Sequence, residues 1–218
     1  MVSESQMRQT MKLLQTGLVG MIFFSGVAMA IEEPKYAVLE QSGPFELRAY
    51  EPKIIAEVKV KGDMSEASSA GFRLIAAYIF GKNQSKEKIE MTAPVTVLPQ
   101  AESPAMGSPV LINEGTNEWL VSFVMPSAFE LNTLPTPVDE QVRLKKIPAE
   151  NKAVITFSGF NTYSKVETKT SELKEWMASK HLTPIGPAQF ARYNPPWTLP
   201  FLRRSEIMFD YRPESKWI

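Results

Sequence analysis

The residue types that most often perform catalysis or hold metals are scarce in this chain. It contains no cysteine and a single histidine, His181. Without cysteine there is no disulfide, no thiolate metal site and no cysteine nucleophile. Most zinc sites and most serine–histidine catalysts also need histidine, so both would depend on His181 alone. The composition therefore favours a binding protein over an enzyme.

Carboxylates are the remaining groups that could do chemistry. Glu40, Glu46 and Glu90 fall on predicted strands, where a buried pair could act as acid and base. The sequence fixes no such pair and shows no nucleophile with a base at a fixed spacing, so we predict no catalytic residue. A hydrolase or isomerase that uses carboxylates on a lipophilic small molecule stays open as an alternative.

The first 30 residues have the pattern of an export signal. Arg8 and Lys12 precede an apolar run from Leu13 to Val27, and Ala28-Met29-Ala30 is a small-x-small cleavage site. A run of about 15 residues is shorter than the roughly 20 that a spanning helix needs, which favours cleavage over a retained anchor. No cysteine follows Ala30, which excludes a lipoprotein. The pattern predicts a periplasmic or secreted product.

Residues 31–218 are expected to form one domain. They carry 22 basic and 23 acidic side chains, because the leader holds Arg8, Lys12 and Glu4. This balance gives no electrostatic reason to expect nucleic acid or an anionic membrane as a partner. We also expect no stable membrane insertion once the signal is removed.

In the first half of the domain, hydrophobic periodicity predicts strands followed by a helix. Phe45–Tyr50 and Ile54–Lys61 alternate with period two, as in a strand with one buried face. Asp63 followed by Glu66 is typical of a capping box, and the helix it starts should end near Gly81.

One stripe of this helix is apolar. Met64, Phe72, Ile75 and Ile79 share a face. We expect Phe72, Ile75 and Ile79 to face the sheet, with Tyr78 and Leu74 nearer the rim of a ligand cleft.

The second half of the domain repeats the same order. Residues 89–98, with Pro94 marking an edge or bulge, and a hairpin of 110–113 with 118–124 complete the first half. Strands at 142–146 and 153–158, a helix from Tyr163 to Lys180, and strands at 189–193 and 206–211 complete the second. The apolar stripe of the second helix is Val166, Leu173, Trp176 and Met177. Gly62 and Gly159 precede the two helices, which predicts a duplicated α+β fold.

Four segments in this order resemble the SOUL heme-binding protein family. They are Tyr36 to Val60, Lys88 to Val95 (KIEMTAPV), Phe123 to Pro126 (FVMP), and Tyr193 to Glu206, with YNPPW at its start and RRSE at its end. The resemblance implies a duplicated βαββ unit that forms a distorted antiparallel β-barrel with two flanking helices. It also implies a binding protein for heme, another tetrapyrrole or a different hydrophobic small molecule.

The ligand would be held non-covalently in an apolar cleft beside the first helix. The candidate binding residues are Phe72, Arg73, Ile75, Tyr78, Ile79 and Trp197. His181 is the obvious imidazole for a heme iron, but its place at a helix end favours a solvent-facing role, so we assign no metal ligand. A ligand-sensing module that acts on a protein partner is a further alternative.

The export signal makes a direct prediction. Protein exported by a bacterial host should begin at Ile31, because signal peptidases cut after small-x-small sites such as Ala28-Met29-Ala30. Intact-mass measurement of the exported product checks this. A product that keeps Met1 and stays in the membrane fraction would show an anchor instead.

Overall fold

Nine strands and two helices follow one another in the computed structural model, which describes residues 31–99, 118–195 and 197–212. The strands are β1 (Tyr36–Ser42), β2 (Phe45–Tyr50), β3 (Lys53–Lys61), β4 (Val95–Pro99), β5 (Glu118–Val124), β6 (Arg143–Ile147), β7 (Glu150–Phe157), β8 (Ile185–Arg192) and β9 (Ser205–Asp210). The helices are α1 (Met64–Ile79) and α2 (Tyr163–Ser179). The predicted α+β class is confirmed. Neither helix is both long and apolar enough to span a bilayer.

The strands form one antiparallel sheet in the order β1-β2-β7-β9-β8-β4-β5-β3-β6. Apart from β1, this order is symmetric about the β8–β4 pair, so each strand of one half has a counterpart in the other. Both halves run strand, strand, helix, strand, strand. The predicted duplication is therefore present in the topology. Gly62 and Gly159 have φ values of +119° and +103°, a backbone conformation that favours glycine before each helix.

The expected closed barrel is not confirmed. Within the described residues, β1 and β6 end the hydrogen-bonded order and do not pair with each other. Both are edge strands, and most side chains of β1 are exposed.

The two helices cover the same face of the sheet at different places. Ala56, Val58 and Val60 of β3 point towards α1 in one buried cluster. Leu173 and Met177 of α2 lie in a second buried cluster against β7 and β9. Val166 and Trp176 pack on this cluster, so the predicted stripe of α2 is confirmed.

The predicted start of α1 is confirmed, whereas its orientation is confirmed only in part. Asp63 and Glu66 form the capping box. Ile75 and Ile79 are buried, but Tyr78 is only 1 % exposed, so its predicted place near a rim is wrong, and Phe72, expected to face the sheet, is 38 % exposed.

Small residues explain this rotation of α1. A Cβ atom on Gly71 would lie 2.5 Å from the Cβ of Val121 on β5, so the helix touches the sheet through Gly71. The predicted stripe of α1 considered only its large apolar side chains, so it missed the small residue Gly71 at the centre of the buried face.

Two other predictions have different outcomes. The strand predicted at 89–98 begins only at Val95, after Pro94, and Ile89 is buried outside any strand. The hairpin residues 110–117 lie outside the described residues.

The contact between Gly71 and Val121 can be tested by substitution. Gly71→Ala should destabilise the fold by about 1–3 kcal/mol, because overpacking outweighs the helix propensity gained. Adding Val121→Ala should recover part of the cost of Gly71→Ala, as a double-mutant cycle of denaturant midpoints would measure. Ser69→Ala on the exposed side of α1 is the control and should stay within about 0.5 kcal/mol. A more stable Gly71→Ala variant would contradict this packing.

Candidate functional site

The outer side of α1 offers two aromatic side chains to solvent. Phe72 is 38 % exposed and Phe80, at the end of the helix, is 58 % exposed. Eight residues at 1.5 Å each place the two positions about 12 Å apart along the helix axis. Arg73 is exposed beside Phe72. We call Phe72, Arg73 and Phe80 the α1 surface.

Phe72 is fixed from behind by a buried ring. Its centroid lies 5.4 Å from that of Phe123 on β5, at an interplanar angle of 53°. Phe123 itself is 1 % exposed. Because tilted aromatic pairs at this distance attract each other, one side of Phe72 is held in place while the rest stays accessible.

Three of the predicted binding residues lie in the core behind the α1 surface. Ile75, Tyr78 and Ile79 are at most 1 % exposed. The Tyr78 hydroxyl donates to the carbonyl of Pro135 at 2.8 Å, and burial raises the Tyr78 pKa to about 12. These residues therefore fix the position of α1 and offer little surface to a ligand.

Trp197 lies apart from α1. It is 82 % exposed on the loop between β8 and β9, and the same loop accepts a hydrogen bond at the Pro200 carbonyl from Gly159, just before α2. The structure thus brings Phe72 and Arg73 together but not Trp197. The assignment of the six residues to a ligand stays a prediction.

His181 is at the end of α2. It is exposed, has φ +58°, and its backbone N–H donates to Ala178. Because α2 packs on β7 and β9 whereas α1 packs on β3, β4 and β5, His181 lies on the other half of the sheet from the α1 surface. In the described ranges no three His, Cys, Asp or Glu side chains cluster as metal ligands. The exposed groups of α1 are the rings of Phe72 and Phe80 and the guanidinium of Arg73, which are not metal ligands.

The opposite face of the sheet carries a buried carboxylate. Glu206 on β9 has no exposed area. It accepts hydrogen bonds from both terminal nitrogens of Arg48 at 3.0 and 3.1 Å, from the Tyr193 hydroxyl at 2.6 Å and from Nε of Arg204 at 3.1 Å. A buried charge with this many partners is a structural ion pair.

Two arginines pair with Glu206, namely Arg204 two residues before it at 3.1 Å and Arg48 on β2. Arg48 was missed because β2 alternates, and its polar side was interpreted as the solvent side. That side is buried here, and Tyr50 on the same side hydrogen-bonds Arg48 at 3.0 Å.

The surroundings of Glu206 keep its partners protonated. Burial raises the Tyr193 pKa far above its usual value, and the nearby Glu206 charge adds to this. Burial lowers the pKa of Arg48, but its hydrogen bonds and charge attraction to Glu206 outweigh this and raise it overall. These groups act as fixed donors.

A second charged cluster lies on the same face. Lys53 contacts Glu150 at 3.0 Å, Lys152 contacts Glu150 at 3.3 Å, and Lys152 also pairs with Asp210. Burial lowers the Lys53 pKa. A cavity of about 180 Å³ lies beside these groups and is lined partly by Tyr193. It is smaller than the roughly 300–1,000 Å³ usual for small-molecule sites.

A larger groove of about 700 Å³ lies at the edge of the sheet, between residues 32–35, 51–54, 124–132 and Lys146. Ile54, Met125, Phe129 and Leu131 supply apolar walls. Its four glutamates face three lysines, an unfavourable balance for an anionic ligand.

The carboxylates considered for catalysis do not converge. Glu40 pairs with Lys180, Glu46 pairs with Arg48 at 2.6 Å, and Glu90 is exposed. Two of the three are thus neutralised by separate cations. No acid–base pair is formed by these three residues.

The fold is an α+β domain built from two ββαββ halves. The chain belongs to the SOUL heme-binding protein family, whose family model matches residues 31–210.

Two curated relatives are named Heme-binding protein 2. The human protein is 29 % identical over 143 residues, and the match spans 63 % of this chain and 65 % of the relative. The mouse protein is 30 % identical over 142 residues, spanning 62 % and 64 %. The chain thus covers slightly less than two thirds of either relative.

Solved structures share the fold at low identity. The C-terminal domain of EcmrR has a TM-score of 0.56 at 13 % identity, covering 81 % of this chain and 98 % of that domain. A hydrolase encoded by lin2189 from Listeria innocua has a TM-score of 0.51 at 10 % identity, covering 77 % and 91 %. At such identities the likeness concerns the fold alone.

Removing Arg48 from the buried Arg48–Glu206 ion pair should strongly destabilise the fold. Arg48→Met leaves Glu206 without its main cation, so we expect a loss of about 3–5 kcal/mol in the free energy of unfolding. The exposed pair Lys61–Glu118, 3.5 Å apart, is the control, and Lys61→Met should cost at most about 1 kcal/mol. Chemical denaturation of both variants decides the matter. Equal losses would mean that Arg48 does not neutralise a buried charge.

Proposed function

We propose that this chain is an exported protein that binds heme or a related tetrapyrrole non-covalently on the α1 surface. Membership of the SOUL heme-binding protein family and the names of the two relatives support the ligand class. The leader pattern supports export. The observation that carries the location is Phe72, an accessible ring backed by Phe123 at 5.4 Å.

The α1 surface has the groups that such a ligand needs. A tetrapyrrole is a flat, apolar ring, and aromatic side chains such as Phe72 and Phe80 bind flat rings by burying area against them. Its carboxylates attract cations, and Arg73 is exposed beside Phe72. The cleft expected from the sequence is therefore proposed as a shallow site at which Ile75, Tyr78 and Ile79 act as support.

The other two spaces suit a tetrapyrrole less well. The cavity near Tyr193 holds only about 180 Å³. The 700 Å³ groove has the size, but its four glutamates outnumber its three lysines, so it offers carboxylates no excess of cations. Size argues against the first space, and charge against the second.

Binding without a chemical step is the simpler proposal. Glu40 and Glu46 are held by cations, and Glu206 accepts hydrogen bonds from four side chains, those of Arg48, Thr156, Tyr193 and Arg204. A carboxylate whose oxygens already contact donors of the protein has to break those contacts before it can reach a substrate. The hydrolase alternative would need one of these pairs to open.

Titration with hemin, followed by the Soret band, tests the proposal. Phe72→Ala should raise the Kd at least about tenfold, or about 1.4 kcal/mol, because it removes the ring that contacts the ligand. Arg73→Glu should also weaken binding, since it reverses the charge beside that ring. His181→Ala should change the Kd by less than about threefold.

Leu131→Ala is the matched control in the groove, because Leu131 is 44 % exposed there. It should leave the Kd unchanged. Weakening by Leu131→Ala and not by Phe72→Ala would move the site to the groove. A wild-type chain that shows no saturable binding would overturn the function itself.

A further inference from the structure

Five apolar side chains point into solvent around the turn before α2 and the loop between β8 and β9. We call them the aromatic loop patch: Phe160 is 66 % exposed, Trp197 82 %, Leu199 55 %, Phe201 68 % and Leu202 62 %. The two segments are joined by the hydrogen bond from Gly159 N–H to the Pro200 carbonyl at 2.8 Å. Soluble proteins rarely leave an apolar patch of this kind open without a use for it.

The aromatic loop patch is held in shape by its own backbone. Nε of Arg203 donates to the Thr198 carbonyl at 2.7 Å, and the N–H of Arg204 donates to Oδ1 of Asn194 at 2.6 Å. Residues Pro200–Leu202 form a short 3₁₀ turn. The rings are thus presented by a fixed loop, so docking them onto a partner costs little ordering entropy.

The charged residues of the two chain segments that carry the patch are all cations. Residues 158–165 and 192–205 contain no Asp or Glu, but they contain Lys165, Arg192, Arg203 and Arg204. Arg204 is paired with Glu33 and Glu206. The buried Nε of Arg192 has no hydrogen-bond partner in the part of the chain that the structure describes. This local excess of cations is not visible in the net charge of the whole chain, which is zero.

Arg192 and Arg203 are close enough to repel each other. Burial lowers the Arg192 pKa, and the charge of Arg203 lowers it further. An anion near the Arg192 guanidinium would offset the cost of its burial.

We propose that the aromatic loop patch docks on the surface of an anionic lipid bilayer. Trp197, Phe160 and Phe201 would lie at the boundary between headgroups and acyl chains, where aromatic side chains are enriched, while Lys165 and Arg192 lie towards the lipid phosphates. The attachment is peripheral and involves no spanning segment. It does not depend on the proposed tetrapyrrole ligand.

A bilayer fits the patch better than a second copy of the chain does. In a two-fold dimer the same patch lies on both sides, so the cations of one copy would meet those of the other. An anionic membrane instead supplies opposite charge over the whole contact.

The absence of cysteine in the chain allows a site-specific test. Phe201→Cys carries an environment-sensitive fluorophore, and Val138→Cys, 64 % exposed outside the patch, is the matched control. With vesicles of phosphatidylglycerol and phosphatidylcholine, the emission at position 201 should shift to the blue and that at position 138 should not. High salt or vesicles of phosphatidylcholine alone should weaken the shift. Adding Trp197→Ser to the labelled chain should raise the lipid concentration at half-saturation by about tenfold.

Three results would overturn the proposal. One is unchanged emission at position 201 at every lipid concentration. Another is an equal shift at position 138, which would locate the contact elsewhere. The third is a shift that grows with protein concentration without lipid, together with a dimer mass in sedimentation, which would make the patch an interface between copies.

Discussion

A carboxylate with no access to water has to be paired, and Glu206 imposes this requirement on three strands. It lies on β9, and its main cation, Arg48, lies on β2, with β7 between them. Neighbouring strands are about 4.8 Å apart, so the Arg48 side chain has to cross over β7 to reach it. Tyr193, at the end of β8, donates a further hydrogen bond. Desolvating such a charge costs several kcal/mol unless every partner is in place, so these strands have to form together.

This constraint determines where a ligand can bind. One face of the sheet is covered by α1 and α2, and the other is filled by the pairs around Glu206 and Lys152. Only about 180 Å³ of that face is open as a cavity near these pairs. Structures with a related fold share this architecture at 10–13 % identity, and the fold by itself does not define a ligand. A large flat ligand therefore finds little room on that face, which supports the proposed site around the exposed ring of Phe72.

Local patterns predicted the elements well, because each depends on a few neighbouring residues. Asp63 with Glu66 marked the start of α1, and Gly62 and Gly159 marked the two matching turns. The rotation of α1 was not predictable in the same way. It depends on Gly71 meeting Val121, a contact between an element and a strand fifty residues away, which no periodicity reveals.

The candidate site was predicted less completely than the fold. Phe72 was named as a binding residue but was expected to face the sheet, and Tyr78 was assigned to the rim although its hydroxyl bonds to Pro135 inside the core. Arg48 was missed because alternation identifies two faces of a strand without showing that both are buried. Such errors arise wherever tertiary contacts decide which side of an element meets water.

Nuclear magnetic resonance with protoporphyrin IX, the ring without iron, tests the central claim most directly. A metal-free ring needs no axial ligand, so it isolates the contact with the α1 surface. We predict amide shift changes concentrated at residues 69–80 around Phe72, with residues around His181 unchanged. Changes concentrated at residues 124–132, or none at a saturating ring concentration, would contradict this account.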